Sequence, residues 1–217
     1  MKAAICYALD EAVRVEDVVL DAPKENEVLV RMVASGVCHS DRSVISGIMP
    51  AKLPCVLGHE GAGIVAGVGA GVTHVREGDR VVLAWVTPCG RCFYCQSGSP
   101  QLCDVGSQIN VMHRQPDGTT RVHRDGADLQ AFCGLGALAE EVVAPANACV
   151  KLPDDAPLDK AALIGCSVMT GVGAVLNTAA VRPGSSVAVF GAGGGGTQRH
   201  SRCGDRRSGA HHRRRHQ

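Results

Sequence analysis

From Met1 to about Val150 the chain sets short, β-branched apolar runs between glycines and charges: AAICYA, EVLVRMVASGVC, GAGIVAGVG, DRVVLAWV, ALAEEVVA and ACVKL. Strand-length runs separated by turn residues predict a compact, mainly β domain with Greek-key or barrel-like pairing. SDRSVIS, after Cys38, predicts a short helix capped by Ser40 with Asp41 in its first turn. The cysteine-rich loop 89–103 and the segment Gln108 to Gln130, rich in His, Arg, Asp and Gly, read as excursions from the β core.

The period changes after Lys151. LPDDAPLDKAALIGCSVMTGVGAVLNTAAV is helical in spacing, with Asp154 or Asp155 near its start and Pro183-Gly184 at its end. SSVAVF then predicts a buried strand running into GAGGGG, where Gly191, Gly193 and Gly196 satisfy the GxGxxG spacing that lets backbone approach a pyrophosphate. The expected division is a β domain over 1–150, a helical connector with the first strand and turn of an α/β nucleotide-binding unit over 151–196, and a basic tail over 197–217.

In that tail, TQRHSRCGDRRSGAHHRRRHQ has neither the apolar period of the next helix nor a second strand. Arg215 stands where an acidic residue would hold a ribose. A one-base slip of the reading frame near Gly194 accounts for this. Synonymous codons read one base onward permit Val-Gly-Leu-Asn-Val-Ile-Gln-Gly-Ala, and those of Arg213 to Arg215 permit Val-Val-Asp or Ala-Val-Asp. The rival reading is a genuine basic tail for nucleic acid or an acidic partner, although such runs are commonly solvated ends.

Composition narrows the classes. A chain of 217 residues with 45% hydrophobic content can bury a core. Aromatics at 3% leave no stacking platform for single-stranded nucleic acid. The net charge of +1 hides an asymmetry: seven arginines follow Gly196 against Asp205 alone, and the preceding residues carry 15 basic against 20 acidic side chains. No nucleic-acid partner is therefore expected of the body. Eleven cysteines without an apolar leader or a membrane-length stretch point to a reducing, cytoplasmic setting and no membrane partner.

Cys89, Cys92, Cys95 and Cys103 follow one another with gaps of two, two and seven residues. That spacing suits a closed structural zinc site, since four thiolates at about 2.3 Å make a tetrahedron that one tight loop can supply. The competing disulfide cluster is disfavoured by how poorly cysteines this close in a loop bridge one another. Cys38, the pair His59-Glu60 in LGHEGAG, and Cys166 in LIGCSVMTG are far apart in sequence, as in an open metal site assembled by the fold. Taken singly, each is more often a buried thiol or a satisfied histidine.

GVCHSD, GHEGAGIV, VREGDRVVL, the cysteine loop, LIGCSVMTG and VAVFGAGG occur in that order, and residues 1 to about 196 closely resemble the zinc-containing alcohol dehydrogenases of the medium-chain dehydrogenase/reductase superfamily. The resemblance implies a GroES-like catalytic domain followed by a Rossmann coenzyme domain that this chain does not complete. It implies two zinc ions per chain: Cys38, His59 and Cys166 hold a catalytic zinc, and the four loop cysteines a structural one. Ser40 matches a hydroxyl that passes the alcohol proton, Asp41 the carboxylate behind the zinc histidine, and Glu60 the acidic neighbour of the metal. Thr170 lines the nicotinamide site, with Gly191, Gly193 and Gly196 at the pyrophosphate. His39 stands where many members carry an arginine for that pyrophosphate, and Ser43 where the proton relay often ends in histidine.

By resemblance, Trp85, Val86, Phe132 and Cys133 line an apolar substrate side, while Cys6, Cys55, Cys149 and Cys203 have no assigned role. The implied reaction oxidises a small-molecule alcohol to an aldehyde or ketone with NAD or NADP, and the chain as written is expected to be impaired. Two alternatives share these motifs: a two-zinc binding or regulatory domain without hydride transfer, and a thiol-dependent formaldehyde dehydrogenase. The family pairs through its coenzyme domain, so a homo-oligomer is not expected of this chain.

Overall fold

The computed structural model describes residues 1–191. Gly193, Gly196 and the tail 197–217 lie outside the described residues. The first strands are β1 (Lys2–Cys6), β2 (Arg14–Asp17), β3 (Val19–Leu20) and β4 (Glu27–Gly36), followed by helix α1 (His39–Ile45). Then come β5 (Cys55–Val56), β6 (Glu60–Val68) and β7 (Arg80–Leu83), the helices α2 (Phe93–Gln96) and α3 (Asp104–Met112), and the short strands β8 (Val122–Arg124), β9 (Ala127–Asp128) and β10 (Gln130–Ala131). After a tight turn over Phe132–Gly134, β11 (Glu141–Pro145) and β12 (Cys149–Lys151) complete the sheets.

Five strands pair antiparallel in the order β11-β4-β6-β7-β12. Val28, Val30, Val65, Val81, Leu83 and Val142 turn inward from this sheet to form the main core. A second sheet runs β10-β5-β1-β2, with β10 and β5 parallel, and a third runs β3-β8-β9. The predicted runs thus become β1, β4, β6, β7, β11 and β12; β6, β7 and β11 are each buried over three or four consecutive residues, so both faces of the sheet are covered there.

Between β4 and β6 the register shifts at Met32/Ala34, and Val33 is left outward, 54% exposed. This irregularity re-aims the end of β4 so that Gly36 pairs with Glu60.

Several expectations need correction. Helix α1 is capped by Cys38, not Ser40, because the Cys38 amide donates to Asp41 Oδ2 at 2.9 Å and sets the first turn one residue pair earlier. The excursion Gln108 to Gln130 carries most of α3 as well as β8, β9 and β10. The helical stretch starts later than the aspartates, at α4 (Leu158–Ala161), since Pro157 is a natural boundary. It continues through a 3-10 turn over Ala162–Gly165 and breaks at Cys166, whose φ of −139° is not helical.

Met1–Gly165 forms one compact unit and Cys166 opens another. The second unit contains α5 (Ser167–Gly173), which passes into a π-helical turn over Ala174–Thr178. Ser185 to Phe190 forms no strand, and no other strand of that unit is among the described residues to pair with it. Unpaired strand backbone has nowhere to place its amides but water. No single helix among the described residues is long and apolar enough to cross a membrane.

Candidate metal centres

The four cysteines of the 89–103 loop converge. The sulfurs of Cys89, Cys92, Cys95 and Cys103 all lie within 4.8 Å of one another, and none is in a disulfide. A zinc tetrahedron with bonds of about 2.3 Å has edges of roughly 3.8 Å, so the donor set fits that ion. Local structure presents the thiols: Cys92 caps α2, Cys95 sits in that short helix, and Cys103 caps α3 with its sulfur accepting the Gly106 amide at 3.4 Å. The Cys89 amide donates to Cys103 Sγ at 3.2 Å and the Cys92 amide to Cys89 Sγ at 3.3 Å.

Burial raises the Cys103 thiol, but the Gly106 and Cys89 amides outweigh it and bring the pKa below its ordinary value. The amides of Cys95 and Asp104 lower Cys92 directly. Cys95 moves the other way, to about 11, through burial and the crowding thiols around it. Four sulfurs this close cannot all ionise without a cation among them.

The second cluster is built on α1 and the start of β6. In the first unit, Cys38 Sγ, a His59 ring nitrogen and a Glu60 carboxylate oxygen lie within 4.8 Å of one another. Asp41, 2% exposed, ties them: Oδ2 accepts the Cys38 amide at 2.9 Å, Oδ1 accepts the Gly58 amide at 2.9 Å, and Oδ1 stands 3.5 Å from His59 Nδ1. Burial works against the Asp41 carboxylate, yet His59 and these two amides hold its pKa down. Cys38 is likewise raised by burial but lowered overall by the Ser40 amide and hydroxyl and by His59, with Ser40 Oγ 3.6 Å from the sulfur.

Close packing fixes the supports. Gly58 has φ 94°, and a Cβ there would stand 2.3 Å from the Leu138 amide nitrogen. A Cβ at Gly36 would strike Glu60 Oε2, so Gly36 makes room for that carboxylate, which is buried on β6. Ser35 Oγ donates to the Glu60 carbonyl at 2.7 Å. Ser35, Gly36 and Gly58 are supports that motif reading did not single out, and the glycine-flanked GVCHSD and LGHEG runs were the available signal.

His39, the first residue of α1, is exposed, and Ser43 Oγ donates to its carbonyl at 3.1 Å. Cys166 opens the second unit as the N-cap of α5, where Thr170 is exposed. It follows Gly165, whose Cβ would stand 2.1 Å from the Leu83 carbonyl oxygen, so the chain before Cys166 is pressed onto β7. Gly191 is the last described residue, with φ 95°. Trp85 is half-buried, packing on the main core and on the cluster containing Phe132 and Cys133.

The model of the alcohol dehydrogenase GroES-like domain matches residues 24–154. This chain belongs to that family. Its mainly β fold and its two groups of metal-ligating side chains are those expected of a zinc alcohol dehydrogenase's catalytic domain. It is 41% identical over 193 residues to the NDMA-dependent alcohol dehydrogenase of Amycolatopsis methanolica, covering 89% of this chain and 52% of the relative. Against the S-(hydroxymethyl)glutathione dehydrogenase of Saccharomyces cerevisiae the identity is 44% over 193 residues, with 88% of this chain and 50% of the relative covered. The solved alcohol dehydrogenase zinc-binding domain protein from Burkholderia ambifaria aligns with a TM-score of 0.86 at 40% identity, over 91% of this chain and 54% of its own. The chain thus spans about half the length of the relatives it matches.

Proposed function

We propose that this chain is the zinc-binding, catalytic half of an alcohol dehydrogenase, which oxidises a small-molecule alcohol to an aldehyde or ketone by hydride transfer to NAD or NADP. The observation that carries the reading is Asp41, which draws the segments bearing Cys38 and His59 into one cluster beside Glu60. Cys166 completes the donor set as a second thiolate, and the four loop cysteines hold a structural ion. Zinc, when held by Cys38, His59 and Cys166, supplies Lewis-acid polarisation of the alcohol oxygen.

Asp41 keeps the His59 ring oriented through Nδ1, leaving Nε2 for the metal. Ser40, beside the Cys38 sulfur, takes the alcohol proton and passes it outward. Glu60 adds a buried negative charge next to the donor set. His39 and Thr170 contact the coenzyme, with Gly191, Gly193 and Gly196 at its pyrophosphate. A cytoplasmic location belongs to the same reading, supported by ten free cysteines among the described residues. So does a domain division near residue 150.

Metal analysis tests the proposal. The purified chain should carry zinc at both clusters, and Cys38→Ser and Cys89→Ser should each lose one ion. A chain whose zinc content Cys38→Ser leaves unchanged overturns the catalytic-centre reading. Addition of NADH should quench Trp85 fluorescence if the coenzyme binds; zinc at both clusters with no quenching favours a binding domain without hydride transfer. The yeast relative supports a narrower reading of substrate, a hydroxymethyl group carried on a thiol. NADH formation from S-hydroxymethylglutathione but not from simple alcohols would select it.

A further inference from the structure

Phe132 stands between two histidines. Its ring meets His59 edge-on, centroids 5.2 Å apart at 89°, and meets His113 at 5.2 Å and 63°. All three side chains are buried, His59 and His113 each at 3% exposure. Beside the Asp41 carboxylate, 3.5 Å from His59 Nδ1, the edge-on ring is a further constraint on the imidazole's rotation.

His113 is itself held at the end of α3 in the left-handed conformation, φ 53°. Its amide donates to the Ile109 carbonyl at 2.8 Å, its carbonyl accepts the Ala131 amide at 3.0 Å, and Nδ1 accepts the Cys133 amide at 3.3 Å. Both neighbours of Phe132 are therefore tied to one residue. Cys133 is left-handed as well, φ 55°. Two such non-glycine residues persist only where surroundings over-determine them. Gln115 secures the turn further, donating from Nε2 to the carbonyls of Gly134 and Val143, each at 3.0 Å. At the opposite end of α3, Cys103 is both cap and member of the four-cysteine cluster.

We propose that His113 is a positioning residue for His59, acting through Phe132, and that α3 makes the His59 geometry depend on metal in the four-cysteine centre. Metal at Cys103 fixes the start of α3; His113 at its end fixes Phe132 and so the imidazole. The inference rests on His59 being a metal ligand, as proposed above.

The test uses the whole chain loaded with cobalt in place of zinc, whose visible ligand-field bands report each centre's geometry. Cys38→Ser and Cys89→Ser assign the bands. His113→Leu removes the acceptor, and Phe132→Leu removes both ring contacts by a different route. Each should shift the band of the Cys38/His59 centre and speed its cobalt loss to a chelator by about tenfold or more, with the four-cysteine bands unmoved. His113→Asn, which tolerates left-handed backbone and keeps an acceptor, should recover part of the loss. Cys89→Ser should shift the His59 centre's band in the same direction. Unchanged band and release rate in both leucine variants overturn the proposal, as does parallel loss from both centres, which would mean general loosening. A wild-type chain without a Cys38-dependent band defeats the ligand reading, and this inference with it, before any His113 variant is measured.

Discussion

Arg121 is 3% exposed and meets Glu27 through two bonds, Nη2 to Oε1 at 2.6 Å and Nε to Oε2 at 2.9 Å, while Nη2 also reaches Asp117 at 2.7 Å. A planar guanidinium satisfies two carboxylates in a way lysine cannot. The cluster ties the first residue of β4 to the segment entering β8. Arg121→Met should lower unfolding free energy by about 3–5 kcal/mol in urea titrations, because it strands a buried carboxylate; replacing Glu27 by Leu in the same chain should restore part of it.

The same cluster sets an acid limit. Burial raises the Asp117 carboxyl, but Thr119, Arg121 and Lys24 hold it well below the usual carboxylate range. A depressed folded pKa gives stability that is complete above the unfolded value, about 3.9, and is lost as pH falls further. Thermal midpoints should therefore fall below about pH 4, and Asp117→Asn should flatten that fall. Asp41 carries the corresponding residue-scale prediction for the metal. Asp41→Asn leaves one acceptor oxygen for the Cys38 and Gly58 amides, and the Cys38/His59 centre should hold metal about 10–100-fold more weakly in competition with a chelator.

At the scale of elements, the β6 entry depends on backbone that only glycine accepts. Gly58→Ala would force a Cβ to 2.3 Å from the Leu138 amide at φ 94°. The alternatives are a shifted Leu138 segment or a displaced His59, so denaturant unfolding should show a loss of about 2–4 kcal/mol together with reduced metal at the second centre. The six apolar runs were legible because β-branched stretches of strand length stand between glycines and charges. Strands β3, β5, β9 and β10, two residues each, carry no period at all and exist through their partners. Helix α3 was hidden because only Gly106 and Ile109 of its nine residues are buried, too few to mark a face. SSVAVF has strand composition without a strand, since pairing is a property of the neighbour as much as of the segment. The four-cysteine site was readable from spacing, whereas Cys38, His59 and Glu60 came together on paper only through family likeness.

At the scale of the whole molecule, the first unit contains, among the described residues, every sheet, all four core clusters and the complete four-cysteine site. It lacks only Cys166 among the proposed zinc donors. A chain ending at Gly165 should therefore fold, with circular dichroism dominated by β structure, and keep the loop ion through dialysis. The Cys38/His59 centre would retain one thiolate and one imidazole beside Glu60, and losing a thiolate from a three-donor set removes a covalent-strength contact and a negative charge. Its zinc should dialyse away, so that the truncated chain binds about one ion where the full chain binds about two. Equal zinc content in the two chains would exclude Cys166 as a donor and leave Glu60 as the third ligand. Loss of both ions would mean that metal uptake in the first unit depends on residues beyond Gly165.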